Sequence, residues 1–211
     1  MPDFPVKGKN LFVESGNYNE FSHIAWGNIE SQFYGYITGY KESADLIIQN
    51  ALTSGDNHTL DTCVFPACFL YRQYIELAMK DLYLLFSGDN FDDKVQMIKK
   101  SSHNLKAIWQ KVRPVIVKYF PNDDKTILDA VEDYIYQFAV EDSNSFAFRY
   151  PITKDLDPIN GTERRINIKN LMERMNELES FLSAVNMGIG EIRDFENEMT
   201  TYYSMDVEGY Y

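Results

Sequence analysis

Residues 61–86 constrain this chain more than any other segment. Their apolar side chains cover nearly every side of a helix: Phe65, Phe69, Leu70, Tyr74, Ile75, Leu77, Ala78, Leu82 and Leu85. A helix that is hydrophobic all round has to be enclosed by other elements, so it belongs at the centre of a bundle. Its one charged stripe is Arg72, Glu76 and Lys80, spaced i, i+4, i+8 and therefore on a single face. The cluster Ser87-Gly88-Asp89-Asn90 ends it.

Helical periodicity marks the neighbours that such a helix needs. A segment from about 22 to 54 reads as helix, with Gly27, Gly35 and Gly39 lowering its propensity. Gly35 and Gly39, one turn apart, would allow another helix to approach closely. A helix over about 102–120 is expected, capped by Ser101 or Ser102 and kinked at Pro114. Its apolar stripe includes Leu105, Ile108, Trp109, Val112 and Ile116. Another is expected over about 124–140, and a last one over about 167–187, where Ile168, Leu171, Met172, Met175, Leu178 and Leu182 follow the helical period. Gly188 and Gly190 read as its interruption.

These elements predict an all-α protein: an antiparallel up-and-down bundle of about five helices, with a long irregular loop over 141–166 before the last helix. An unstructured loop of that length inside a compact domain is often functional. The expected organisation is an N-terminal arm at 1–17, a bundle domain at 18–187 and an acidic, tyrosine-rich tail at 188–211.

Charge narrows the function classes. The chain of 211 residues has 20 basic and 32 acidic side chains, a net charge of −12. Non-specific nucleic-acid affinity comes mainly from cations on phosphates, so a chain this acidic is a poor candidate for coating DNA or an anionic membrane, unless a local basic patch overrides the average. The distribution is uneven, however. Residues 94–140 carry 8 basic and 5 acidic groups, and from 94 to 120 there is no acid at all. Lys94, Lys99, Lys100, Lys106, Lys111, Arg113 and Lys118 form this basic island.

Cys63 and Cys68 fit neither a redox pair nor a zinc knuckle and read as buried free thiols. The three histidines, His23, His58 and His103, are far apart, so neither a metal site nor a cofactor is expected. The start of the chain lacks a charged segment followed by an apolar core, and no apolar run reaches the roughly 18 residues of a membrane helix. The expected location is cytoplasmic, without membrane association. No nucleophile elbow, phosphate-binding loop or zinc-protease signature is present.

One histidine stands out. His103, in Ser101-Ser102-His103-Asn104-Leu105, falls in the basic island and in the first turn of the expected 102–120 helix, facing away from its apolar stripe. A helix N-terminus favours an anion and a neutral imidazole, which can act as a base or bind phosphate.

The run Phe69-Leu70-Tyr71-Arg72-Gln73-Tyr74-Ile75-Glu76-Leu77-Ala78-Met79-Lys80, followed by His103-Asn104-Leu105 and Trp109, resembles HEPN-like helical proteins over roughly residues 60–185. The resemblance implies an up-and-down bundle that often dimerises. Many members are metal-independent RNases of toxin–antitoxin or phage-defence systems, with an arginine four to six residues before the key histidine. Others lack that motif and serve as binding or scaffolding modules. In this chain the positions for that arginine hold Gln96, Met97 and Ile98, while Lys99 and Lys100 are too close. A lysine does not replace a guanidinium that forks onto phosphate.

The expected function is therefore a HEPN-like binding or regulatory module, homodimeric, with RNA or a nucleotide at the basic patch. The alternative is an RNase that uses His103 with Arg72 or Arg149 as a non-canonical cation. The candidate catalytic residues are His103, Asn104, Arg72 and Arg149. The candidate binding residues are Lys99, Lys100, Lys106, Glu76 and Tyr150. Arg72 and Arg149 each have a purely structural use as well, pairing with Glu76 and anchoring the loop. For self-association, the aromatic face of Phe33, Tyr34, Tyr36 and Tyr40 exceeds what one bundle helix needs for its own core.

Overall fold

The computed structural model describes residues 4–143, 145–159 and 163–208, with side chains described as far as Tyr202. Gly161, expected in the loop, and the last residues of the tail, 209–211, lie outside that set. The protein is an all-α bundle of six helices: α1 (Ile29–Ser54), α2 (Asn57–Phe86), α3 (Phe91–Ser101), α4 (Leu105–Tyr119), α5 (Lys125–Glu141) and α6 (Ile168–Glu208). The described residues contain no strand, only an isolated bridge between Ile152 and Pro158.

The central role of α2 follows from its composition. From Ala67 to Phe86 it buries residues over most of its circumference, with Leu70, Gln73, Leu77 and Leu84 on the remaining face partly buried, and it packs on α1, α3, α4 and α6. Helix α5 packs chiefly on α4 and α6 rather than on α2, which corrects the expectation that it too surrounds the central helix. Helices α1 and α2 form a hairpin around Gly55 and Asp56. Gly55 adopts φ 66, a left-handed value that suits glycine, and the Asp56 carboxylate caps α2 by accepting from the backbone of His58 and Thr59. The hairpin is antiparallel. The Tyr71 hydroxyl donates to Asp45 at 2.6 Å, and further from the turn Glu30 faces Asp81. Burial, then the charge of Glu30, push the Asp81 carboxyl up to about 6.

Lys41, buried in α1, donates to Asp45 and to Asn176 of α6, both at 2.7 Å, and lies 2.9 Å from Glu179. A buried ammonium is tolerated when its donors are used in this way. It ties α1 to α6.

Several boundaries differ from the sequence reading, each for a local reason. Helix α1 begins at residue 29, not 22, because Asn28 caps it by accepting from Ser31. Gly35 faces the ring of Trp26, which lies just ahead of α1, and Gly39 has no neighbour where a Cβ would stand, so no helix uses the pair for close approach. Helix α3 was not anticipated, and the bundle has six helices rather than about five. It is short, but it carries an Asn90 cap, Asp92 and Asp93 in its first turn and Lys99 and Lys100 in its last, each charge opposing the helix dipole. Ser101 therefore ends α3 instead of capping α4. The cap of α4 is Asn104, whose side chain accepts from Ala107. Helix α6 runs through Gly188 and Gly190. A Cβ at Gly188 would stand 3.0 Å from the ring of Phe120, so this glycine admits the ring without ending the helix. Its cost of about 1 kcal/mol relative to alanine is small against the packing of the preceding turns.

Candidate functional site

The charged stripe of α2 draws two loops together. Arg72, 0% exposed, donates through Nη1 to Glu76 Oε2 at 2.7 Å and through Nη2 to the carbonyl of His103. Lys80 donates to Glu76 Oε1 at 2.6 Å and to the carbonyl of Ser102 at 2.7 Å. The turn between α3 and α4 is thus held by two consecutive carbonyls facing two cations. Ser102 takes φ 44 with ψ −112 there, an unfavourable backbone for a serine that charge-assisted hydrogen bonds can sustain.

His103 completes the group. It precedes α4 rather than lying in its first turn, which corrects the sequence reading. Its Nδ1 is 3.0 Å from Glu76 Oε1, while the side chain is 60% exposed. Burial alone would raise the Glu76 carboxyl, but Lys80 and Arg72 outweigh it and hold it below the ordinary carboxylate range. An ionised carboxylate only accepts, so Nδ1 carries the proton and Nε2 is left as the ring's basic atom when the imidazole is neutral.

The start of the α5–α6 loop closes the other side. Asp142, buried at the end of α5, accepts from the backbone of Phe146 at 2.6 Å and Ala147 at 3.0 Å through Oδ1. Its Oδ2 is 3.6 Å from Arg72 Nε, and neither atom has a hydrogen-bond partner among the described residues. Two cations, Arg72 and Lys80, thus face two carboxylates, Glu76 and Asp142. Beside them Gln73 donates to Ser145 Oγ at 3.0 Å. Asp142 and Ser145 were missed from sequence. The available signal was an Asp at a helix end followed by Ser and Asn, a pattern that favours side-chain bonds to the local backbone.

The structure brings Arg72, Glu76 and His103 together. The remaining candidates make no bond to this group among the described residues. Asn104 is occupied as the α4 cap. Arg149 donates to the carbonyl of Ser145 at 2.5 Å, with its guanidinium over the stacked rings of Phe146 and Tyr150 at 5.8 and 5.5 Å. It anchors the loop, and no contact joins it to His103. Lys99 and Lys100 are exposed at the end of α3, beside His103 in sequence. Lys106 lies over the ring of Tyr136 at 4.9 Å. Part of the basic island is neutralised, since Arg113 bonds both Asp129 and Glu132.

Cys68 is buried and Cys63 partly so, both as free thiols, and burial pushes the Cys68 thiol up to about 12. Among the described residues no helix is long and apolar enough to cross a membrane, and no cluster of three or more His, Cys, Asp or Glu could hold a metal ion.

Fold and site define a class: an all-α bundle whose central helix carries a buried ionic stripe that clamps a histidine-bearing turn. Compared with known proteins, the chain matches no family model, no curated protein and no solved structure.

Proposed function

We propose that the chain is a HEPN-like binding or regulatory module of the cytoplasm, associating with RNA or a nucleotide through the exposed turn at His103 with Lys99 and Lys100. The observation that carries this reading is the burial of Arg72. Its guanidinium is fully enclosed and bonded to Glu76 and to the His103 carbonyl, so it does not reach a phosphate that His103 could touch. General acid–base chemistry needs its groups within hydrogen-bond reach of one substrate. An exposed imidazole beside lysines suits binding.

The second reading, a metal-independent RNase, is favoured by one feature. Glu76 fixes the tautomer of an exposed imidazole, as a carboxylate does for a histidine base. The test is single-stranded RNA without metal, comparing wild type, His103→Ala and Lys99→Glu/Lys100→Glu. We expect binding without cleavage. Losing two phosphate contacts should weaken binding by about tenfold or more and flatten its salt dependence. Cleavage by wild type that His103→Ala abolishes would establish the RNase instead. Absence of both binding and cleavage would remove RNA from either reading.

The proposed partner is a second copy of the chain. Tyr36 of α1 is 59% exposed and its ring lies 6.2 Å from that of Tyr40 one turn on, an aromatic pair at the surface of a helix otherwise packed against α2 and α6. Light scattering at tens of micromolar should give the mass of two chains. A value of 24.6 kDa would reject self-association.

A further inference from the structure

The ionic group beneath the His103 turn is balanced. Arg72 and Lys80 bring two cations, Glu76 and Asp142 two carboxylates, and all four are buried. The charge that a ligand meets at the turn is therefore set by His103 itself and by the lysines beside it in sequence. These are Lys99 and Lys100 at the end of α3 and Lys106 in the first turn of α4, the last lying over the Tyr136 ring of α5.

The His103 ring is fixed at one end and open at the other. Its Nδ1 lies 3.0 and 3.2 Å from the two oxygens of Glu76. Each oxygen also accepts from a buried cation, Oε1 from Lys80 at 2.6 Å and Oε2 from Arg72 at 2.7 Å. A carboxylate held in this way stays ionised and only accepts, so Nδ1 keeps its proton in both charge states of the ring. The two states then differ at Nε2 alone. The side chain is 60% exposed, and Nε2 makes no bond among the described residues. With a single ring proton, Nε2 presents a lone pair, which repels an oxyanion. With the second proton it donates, and the imidazolium adds a full positive charge above a balanced base.

We infer that the His103 turn binds its anion together with one proton: the ligand is an oxyanion that stays ionised near neutral pH, as a phosphodiester does, and it is held by the imidazolium and refused by the neutral ring. The role rests on the reading that this turn meets a phosphate, and the proton is its added condition. A ligand that selects the protonated ring raises that ring's titration midpoint, and its own affinity falls by up to about tenfold per pH unit above the midpoint. A contact through lysines alone would depend on salt without this slope.

The ring is its own readout. Nitrogen chemical shifts of the histidines in the full chain, followed by NMR from about pH 5 to 9, should show Nδ1 protonated and Nε2 bare in neutral His103. Sodium sulfate at about 0.1 M, compared with sodium chloride of equal ionic strength, should raise the His103 midpoint by at least about half a pH unit and leave that of His23 on the arm in place. Sulfate keeps its charge throughout this range, so such a shift is not the probe's own titration. His103→Gln identifies the resonance. It leaves the main-chain carbonyl that Arg72 holds, and circular dichroism establishes its fold.

Neutral His103 protonated at Nε2 would overturn the inference, as would a midpoint that sulfate and chloride leave at the same pH, whether or not RNA binds. A midpoint raised by sulfate in a chain that binds no single-stranded RNA would uphold the proton-coupled site and reject the RNA reading alone. Where oligouridylate binds, wild-type affinity should fall as pH rises through the midpoint, while that of His103→Gln stays level. Equal pH slopes in the two proteins would overturn the inference. If His103→Gln does not fold, the wild-type titrations in sulfate and chloride decide.

Discussion

Replacing Glu76 with alanine will destabilise the protein by about 3–5 kcal/mol, the usual cost of breaking a buried ion pair by removing one partner. Glu76 is 3% exposed and bonds both Arg72 and Lys80, so its loss leaves two cations near each other in the core with one fewer anion. It also frees Nδ1 of His103. In a domain of this size each kcal/mol moves the melting temperature by about 2–4 °C, so a drop of roughly 10 °C is expected. Replacing the stripe as a unit together with its fourth member, Arg72→Met, Glu76→Leu and Lys80→Met with Asp142→Asn, should cost less than Glu76→Ala alone, because no buried charge then lacks a partner. A quadruple variant less stable than the single one would show that the stripe's bonds to the Ser102 and His103 carbonyls, rather than its internal charge balance, dominate.

The same carboxylate gives a pH test whose sign is set. Its folded pKa is depressed below the ordinary value of 4.5, so its contribution is complete above that pH and is lost as pH falls through the folded pKa. The stability gap between wild type and Glu76→Ala should be widest at neutral pH and close progressively on acidification below 4.5. Melting curves from pH 7 down to about pH 3 measure this directly. A gap that stays constant would mean that Glu76 acts through packing alone.

Trp109→Ala should have an effect of similar size at the seam between α4 and α5. The indole is fully buried, and its Nε1 donates to Glu132 Oε2 at 2.7 Å. Truncating a buried tryptophan removes its apolar burial and leaves a cavity, costing about 3–5 kcal/mol. Trp109→Phe keeps most of the volume and loses the hydrogen bond, so about 1–2 kcal/mol is expected. Glu132 retains Arg113 at 2.7 Å in either variant, so the α4–α5 seam loses packing without an orphaned carboxylate. Equilibrium urea unfolding of the two variants separates the contributions. Equal losses would place the whole effect in the hydrogen bond.

Periodicity made α2 legible as the central helix, because twenty-odd residues without a broad polar face have one stable environment. The i, i+4 spacing likewise places Arg72, Glu76 and Lys80 on one face, and pairing of Arg72 with Glu76 follows from that spacing. Helix α3 escaped notice because its apolar positions are few, although its cap and its opposed terminal charges were present in the sequence. The N-cap of α4 was misplaced by three residues at most, yet that small shift moved His103 out of the helix and into the turn. Neighbouring Ser and Asn residues compete as caps on nearly equal terms, and tertiary bonds choose between them.

The sequence by itself therefore determined five of the six helices, the central place of α2 and the ionic stripe, since these depend on the apolar period and on spacing within one element. Only the tertiary structure decided what the stripe touches. That Arg72 turns inward to the His103 carbonyl, 31 residues away, while Arg149 stays with its own loop, depends on how α2, the α3–α4 turn and the loop after α5 converge.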